Sequence, residues 1–353
     1  MLQITTRRVE LKKLYPLMIS RGVSHGSTNL FVEISDGTHV GIGEAAPGAG
    51  YDETLAPLAE QQIEFLFPDR EVVVNGDTDP GPYALNAFCR QHEMASPAIA
   101  ALDMALWDLR AKQAGVPLYR MLGLSKAMAP TSVTIGINPP EVTRERVPEI
   151  LARTGAKSLK IKLGSPQGIA FDKEHFEAAR EAAASFGPKL RVDANGGWSV
   201  SDAKHMIDWL TTRGVDYVEQ PLVEGSEGSL ADVHYSSTLP IFVDESCRIS
   251  AQIPRWAANV DGVNLKLMKC GGITEALRIV ATARAFGLKT MIGCMGESSV
   301  AIAAGAAMGS LFDHIDLDSH LNLNPDPATG LGLVDGVVQL SDAPGHGARL
   351  IQA

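Results

Sequence analysis

The rhythm of apolar and polar positions changes near residue 130. In residues 1–50 the two alternate, and the runs 30–34 and 39–42 flank an Asp36–Gly37 turn, the pattern of a hairpin within a β-meander. Residues 54–67 and 96–114 carry apolar positions at helical spacing. In the second, Ser96 is the expected N-cap, Pro97 the first helical residue and Gly115 the stop. From about residue 130 short apolar runs recur, each followed by a glycine-containing loop and a helix-like segment. The runs are 132–135, 158–163, 190–194, 217–219, 241–245, 262–267, 289–294 and 314–318, with helical patterns between them such as 172–184, 201–210 and 274–286. A β–α alternation repeated eight times predicts a closed parallel barrel. The expected fold class is therefore α/β. It consists of a modified (β/α)8, TIM-like barrel over residues 126–320 with an α+β capping domain over 1–125, and a C-terminal segment, 321–353, that returns to the capping domain.

The phase within these runs carries the chemistry, because strand side chains alternate between faces with period two. Leu159, Ile161 and Leu163 share one face, and Lys160 and Lys162 the other. Leu190 and Val192 oppose Arg191, Asp193 and Asn195; Val218 opposes Glu219; Ile241 and Val243 oppose Asp244. Val263, Leu265 and Leu267 oppose Asn264 and Lys266, while Ile315 and Leu317 oppose Asp316 and Asp318. The aliphatic faces pack outward on helices, which leaves the polar residues inward near the carboxyl ends of the strands, where barrel enzymes keep their chemistry. An antiparallel sheet with one wet face also alternates, but the helices between the runs disfavour it.

Composition narrows the function. The chain has 353 residues, room for a barrel of ~250 plus a smaller domain. With 31 basic and 41 acidic residues its net charge is −10, which leaves no electrostatic footprint for nucleic acid or an anionic membrane. No stretch approaches the ~18 unbroken apolar residues of a membrane span, and residues 1–10 lack the apolar core of a signal peptide. Cys89, Cys247, Cys270 and Cys294 are far apart and read as free thiols of a reducing cytoplasm. A small-molecule substrate and a homo-oligomeric state are expected.

Numbered around a ring, Asp193, Glu219 and Asp244 end strands three, four and five, so three carboxylates converge on one arc. Such a cluster calls for a cation, and all-oxygen ligands select a hard divalent ion, most simply Mg²⁺. No His or Cys falls in phase beside them, which argues against zinc. Lys162 and Lys266 end strands two and six, four apart in a ring of eight, and so face each other across the mouth. This layout suits proton abstraction next to a carboxylate, with the metal stabilising the enediolate and a lysine taking the proton. A free lysine titrates at about 10.4 and a working base nearer 7–8, a difference of about 4 kcal/mol. Lys160 and the bound cation push Lys162 in that direction. Bases on both faces would invert a stereocentre, whereas a lyase needs only one. Asp316 and Asp318 end strand eight, opposite strand four, too far across to bind the metal. They suit a substrate ammonium, and a dipeptide separates its amine from its carboxylate better than a free amino acid does.

These residues resemble the enolase superfamily in its muconate-lactonizing-enzyme subgroup. The resemblance rests on Lys160-Ile161-Lys162, Asp193-Ala194-Asn195, Glu219-Gln220-Pro221, Asp244-Glu245-Ser246 and Asn264-Leu265-Lys266, with Gly41-Ile42-Gly43-Glu44-Ala45-Ala46-Pro47 in the capping domain. Asp316-Leu317-Asp318 looks like the signature of the dipeptide epimerases, including those acting on Ala-Glu. The resemblance implies that Lys162 and Lys266 form the acid/base pair and that Asp193, Glu219 and Asp244 bind Mg²⁺, with Asn195 and Glu245 behind them. It further implies that Lys160 supports the substrate carboxylate, that Thr134 and the backbone near Gly296 contact the substrate, and that Asp316 and Asp318 hold the dipeptide N-terminus. Arg21 matches a capping-loop arginine that holds a glutamate side chain. The expected reaction is epimerisation of a dipeptide, L-Ala-D/L-Glu or a related one, at the α-carbon of its C-terminal residue by two-base 1,1-proton transfer. The competing reading is a cycloisomerase or lyase of the subgroup, such as muconate cycloisomerase or o-succinylbenzoate synthase, or an N-succinylamino acid racemase. Their substrates carry no ammonium and would leave the two aspartates without a role. A non-catalytic barrel would be expected to have lost a ligand or a base, and none is missing. Gly41 to Ala46 also fits a G-x-G-x-x-A dinucleotide pattern, but Pro47 and Gly48 follow where that fingerprint needs a helix.

Overall fold

The long β1 (Gln3–Ile19) folds back on β2 (Gly22–Ser35), which pairs with β3 (Val40–Ala45) in an antiparallel three-stranded sheet. The computed structural model describes residues 1–48 and 54–351. Helices α1 (Leu55–Leu66), α2 (Pro82–Gln91) and α3 (Ser96–Gln113) cover one face of this sheet and share a core with it. The helix α3 begins at Ser96 itself, and the residue before it, Ala95, offers no side-chain cap, so Ser96 is not the cap its sequence suggests. The Ala95 N–H is instead taken by Gln62 from α1, a tertiary contact in place of a local one. The periodicity does not announce α2, because one of its buried positions is the polar Asn86. The short α4 (Leu118–Met121) leads into the second domain.

The two glycines of the would-be dinucleotide motif serve packing. They lie within β3, and α3 crosses directly over them: a Cβ would fall 2.0 Å from the Ala105 carbonyl oxygen at Gly41 and 2.0 Å from that of Ala101 at Gly43. A strand and a helix pressed together this closely leave no phosphate-binding turn. Gly43→Ala is expected to destabilise the protein by about 1–3 kcal/mol through overpacking, read as a lower urea midpoint with unchanged slope.

Eight parallel strands follow: β4 (Ser132–Ile135), β5 (Ser158–Lys162), β6 (Lys189–Asp193), β7 (Val215–Glu219), β8 (Ile241–Val243), β9 (Gly262–Lys266), β10 (Lys289–Gly293) and β11 (His314–Asp316). Each pairs with the next, and a parallel bridge from Thr131 to Ile315 brings the last strand to the first. Between them lie α5 (Pro140–Thr154), α6 (Ile169–Ala183), α7 (Val200–Thr211), α8 (Leu230–Ser236), α9 (Ile253–Trp256), α10 (Leu267–Cys270), α11 (Ile273–Ala285) and α12 (Ser299–Ala306). The expected phase is realised. Leu159, Ile161, Val192, Val218, Ile241, Val243, Val263, Leu265 and Ile315 join one apolar core with the helices. On the opposite phase, Tyr217, Phe242 and Met291 close the barrel floor, where His314 packs on the two rings at 4.9 and 5.3 Å.

After β11 the chain runs back along the N-terminal elements. Its short strands β12 (Ala328–Thr329), β13 (Gly332–Val334), β14 (Val337–Gln339) and β15 (Arg349–Leu350) pair only among themselves. Gly345 accepts from the Leu118 N–H at 2.7 Å, and the His346 N–H donates to Asp108 of α3 at 2.8 Å. The four cysteines are free, and no helix among the described residues is long and apolar enough to cross a membrane.

Candidate active site

Register explains why the polar residues meet. Lys162, Asp193 and Glu219 are direct neighbours across β5, β6 and β7, at one level of the barrel. Lys266, Gly293 and Asp316 are likewise neighbours across β9, β10 and β11. Asp244 stands one residue beyond β8. The chain leaves β6 and β7 through residues with left-handed backbone, Asn195 at φ +43 and Gln220 at φ +38. The Asn195 N–H folds back onto Asp193 Oδ1 at 2.8 Å, and Gln220 Oε1 accepts from the Asp244 N–H at 2.8 Å. The first strained turn therefore orients a carboxylate directly, and the Gln220 side chain pins the backbone that carries another, the kind of place where such strain is retained.

Oxygen atoms of Asp193, Glu219 and Asp244 lie within 4.8 Å of one another, and all three residues are fully buried. Three buried carboxylates so close repel one another. Burial pushes the Glu219 carboxyl up to about 7, and Asp193 adds to the rise. Burial also acts to raise Asp193 and Asp244, but neighbouring ammonium groups outweigh it, Lys162 and Lys160 at the first and Lys266 and Lys269 at the second, and hold both below the usual carboxylate range. An all-oxygen, buried, over-charged donor set fits a hard divalent cation.

Lys162 and Lys266 flank this set from opposite sides of the ring. Lys162 Nζ is 2.5 Å from Asp193 Oδ2, and Lys266 Nζ is 2.8 Å from Asp244 Oδ2. Each amine thus leans on an outer member of the trio. Burial would lower the Lys266 amine, yet Asp244 outweighs it and holds that amine above its ordinary value. A divalent cation held by this trio would weaken that hold and would move the lysine towards the range of a working base.

Lys160 is fully buried beneath them, 3.2 Å from Glu219 and 3.6 Å from Asp193, and ion-paired to Asp316. Asp316, which also accepts from Ser132 Oγ at 2.5 Å, is therefore engaged inside the barrel. Asp318 is more available. Its Oδ2 accepts from the Thr134 backbone N–H at 2.7 Å, and it lines the cleft. Burial pushes its carboxyl up to about 6, with Asp316 adding to the rise.

The cleft has a volume of about 1380 Å³ and opens between the barrel mouth and the β1–β2 arm of the capping domain. Thr134, Lys160, Lys162, Lys266, Gly296, Asp316 and Asp318 line it, as do Arg21, Asn195 and Glu245. Arg21 reaches down from the arm to Glu245 at 2.5 Å and to the Asn195 carbonyl at 2.8 Å, so it is already paired. The Asn195 side chain donates to Asp193 at 3.2 Å and Glu245 at 3.4 Å.

Three contributors have no role in the sequence reading of the site. Lys269 is fully buried on α10 and binds both the carboxylate and the carbonyl of Asp244. Its only signal is a lysine one turn after Lys266. Asn264 donates to Glu219 at 2.6 Å, and its inward phase was visible without a partner. Cys294, which also lines the cleft, donates its thiol to the Asp316 carbonyl at 3.2 Å.

Comparison with known proteins adds to this geometry. Residues 1–123 match the family described as mandelate racemase/muconate lactonizing enzyme, N-terminal domain, and residues 142–353 match enolase C-terminal domain-like. The hydrophobic dipeptide epimerase of Roseobacter litoralis is 56% identical over 352 residues, all of both chains. The solved substrate-liganded L-Ala-D/L-Glu epimerase of Bacillus subtilis is 30% identical with a TM-score of 0.89, covering 98% of each chain. The dipeptide epimerase of Enterococcus faecalis V583, complexed with Mg and the dipeptide L-Leu-L-Tyr, is 30% identical with a TM-score of 0.87, again over 98% of each.

Proposed function

The chain belongs to the mandelate racemase/muconate lactonizing enzyme family of the enolase superfamily, and from that premise we propose that it is a Mg²⁺-dependent dipeptide epimerase acting on dipeptides with an apolar C-terminal residue. The observation that carries the reading is the pair of lysines on opposite flanks of three clustered carboxylates. Asp193, Glu219 and Asp244 would hold the cation, which when bound would supply positive charge to the substrate carboxylate and so lower the cost of removing the neighbouring proton. Lys160, fixed by its acidic partners, orients the same carboxylate. With a dipeptide seated, one of Lys162 and Lys266 takes the α-proton of the C-terminal residue onto its Nζ, leaving a planar α-carbon. The other delivers a proton from its own Nζ to the opposite face, and the configuration inverts. Asp318, with Asp316 behind it, receives the substrate ammonium, and Thr134 and the Gly296 backbone border the peptide.

Two observations favour an apolar over an acidic C-terminal side chain. Arg21, the arginine available to a glutamate, is already paired with Glu245, and the 56% identical relative is a hydrophobic dipeptide epimerase. A panel of L,L-dipeptides with Mg²⁺, followed by chiral chromatography, tests this. Inversion at the C-terminal residue is expected to be at least about tenfold faster for L-Ala-L-Phe or L-Leu-L-Tyr than for L-Ala-L-Glu. Failure to invert any dipeptide would sink the reading.

Asp318 gives a pH dependence. Its carboxyl, raised to about 6, is ionised above that pH and neutral below it. A neutral group attracts the ammonium less, so kcat/KM for dipeptides is expected to fall below about pH 6, largely through KM. Asp318→Asn should flatten this limb and raise KM at neutral pH. An unchanged acid limb in that variant would remove Asp318 from ammonium binding.

A further inference from the structure

The two lysines are held differently. Beyond Lys162 the chain is fixed from within the barrel, where Asp172 of α6 accepts from the backbone N–H groups of Gly164 and Ser165, each at 2.9 Å. Beyond Lys266 it is fixed from the capping domain. There α10 makes a single turn, and Gly271 and Gly272 follow at φ +79 and +101. A Cβ at Gly272 would lie 2.5 Å from a carboxylate oxygen of Asp103, which sits fully buried in the middle of α3.

Asp103 accepts from the backbone N–H of Thr274 at 3.0 Å, in the first turn of α11. Asn86 of α2 donates to Asp103 at 3.2 Å and to the Gly271 carbonyl at 2.8 Å. Arg90, one turn further along α2, is held by Asn86 at 3.0 Å and donates to the Cys270 carbonyl. Three capping-domain side chains thus grip the carbonyls of Cys270 and Gly271 and the N–H of Thr274. From inside, Lys269 ties the same turn to Asp244 and, at 2.9 Å, to the Asn264 carbonyl. The segment between Lys266 and α11 is clamped on both sides, and the outer jaw belongs to the other domain. Burial pushes the Asp103 carboxyl up to about 7, and its hydrogen bonds to Thr274 and Asn86 oppose the rise.

We propose that Asp103 is a positioning residue for Lys266: through the turn after β9 it aims one of the two lysines, while the barrel alone sets the other. This rests on the two-lysine reading given above. A lysine displaced by about an ångström loses on the order of 10²-fold in proton transfer. Loss of the outer jaw is therefore felt on one face of the substrate and not on the other. A general loosening of the fold would not make that distinction.

The test follows loss of the C-terminal α-proton by NMR in D₂O, with each dipeptide epimer supplied separately to the full-length enzyme with Mg²⁺. The epimer that Lys162→Ala still exchanges is the one facing Lys266. In Asp103→Asn, exchange of that epimer is expected to slow at least about tenfold, with the other epimer within about threefold of wild type. Equal slowing of both epimers, or slowing of neither, overturns the positioning role. If Asp103→Asn fails to fold, Asn86→Ala, which removes the Gly271 contact and leaves the carboxylate, carries the same one-sided expectation. Wild-type enzyme that exchanges neither epimer would overturn the epimerase reading itself, an outcome distinct from a symmetric Asp103→Asn.

Discussion

Lys162→Ala and Lys266→Ala are each expected to lower the rate of epimerisation by roughly 10²–10⁴-fold, the usual range for removing a general acid or base. Their side chains end β5 and β9, four strands apart in a ring of eight, on opposite sides of the Asp193, Glu219 and Asp244 cluster. On that placement neither would reach the face served by the other, so neither is expected to substitute for the other in inversion. The variants nevertheless differ in what they retain. Each keeps the lysine on one face, which still exchanges the α-proton of the epimer presented to it without inverting the centre. Lys162→Ala and Lys266→Ala are therefore expected to label opposite epimers with deuterium. Near wild-type inversion in either variant, or labelling of the same epimer by both, contradicts the arrangement.

Glu219→Gln is expected to abolish activity while making the metal-free protein more stable at neutral pH. Glu219 is the middle member of the trio, with Asn264 at 2.6 Å and Lys160 at 3.2 Å as donors. Glutamine keeps an acceptor for Asn264 and removes the charge that Asp193 and Asp244 oppose. The sign follows from the direction of the shift. The folded protein holds the Glu219 proton up to about pH 7, whereas an unfolded glutamate releases it near 4.5. Between these values the unfolded state binds fewer protons, so the metal-free protein loses stability as pH rises from about 4.5 to about 7. Removal of the carboxyl should flatten that slope. Mg²⁺ at a hundredfold excess over its dissociation constant should restore about 2.7 kcal/mol to the wild type and much less to Glu219→Gln. Thermal unfolding at pH 5 and 7.5, in chelator and in Mg²⁺, reads all of this. A variant that matches wild type in both conditions would mean the trio binds no cation.

The barrel was legible because its strands have two chemically distinct faces. Leu159 and Ile161 alternating with Lys160 and Lys162, or Val192 alternating with Asp193, specify both the strand and the side that faces inward. Once the eight runs are numbered, ring geometry alone opposes Lys162 to Lys266 and groups the three acids. Phase could not tell how far each inward side chain reaches. Asp316 and Asp318 share a phase, yet the long Lys160 reaches past β4 to pair with Asp316 and leaves Asp318 as the more available carboxylate. Local pattern also failed where a distant partner decides the outcome. The helix α3 starts at Ser96 with no side-chain cap, and the Ala95 N–H before it goes to Gln62 of α1. Two buried carboxylates of the capping domain sit at the starts of barrel helices far along the chain: Asp103 bonds Thr274, and Glu44 bonds the Ser298 N–H at 2.9 Å. In the sequence these are an acid within an alanine-rich helix and an acid within a glycine-rich strand, and nothing nearby names their partners.

Inversion by two bases on opposite sides of the substrate is the claim on which the rest depends, and the source of the hydrogen in the first-formed product tests it most directly. A protonated L,L-dipeptide is converted by the Mg²⁺-loaded enzyme in D₂O and the reaction is stopped within the first few per cent of turnover. Mass spectrometry and NMR of the inverted product should find deuterium at the C-terminal α-carbon in nearly every molecule and protium retained at the N-terminal one. Inverted product that carries the substrate's own α-proton in substantial yield would mean that a single group removes and returns it, and would contradict the opposed pair.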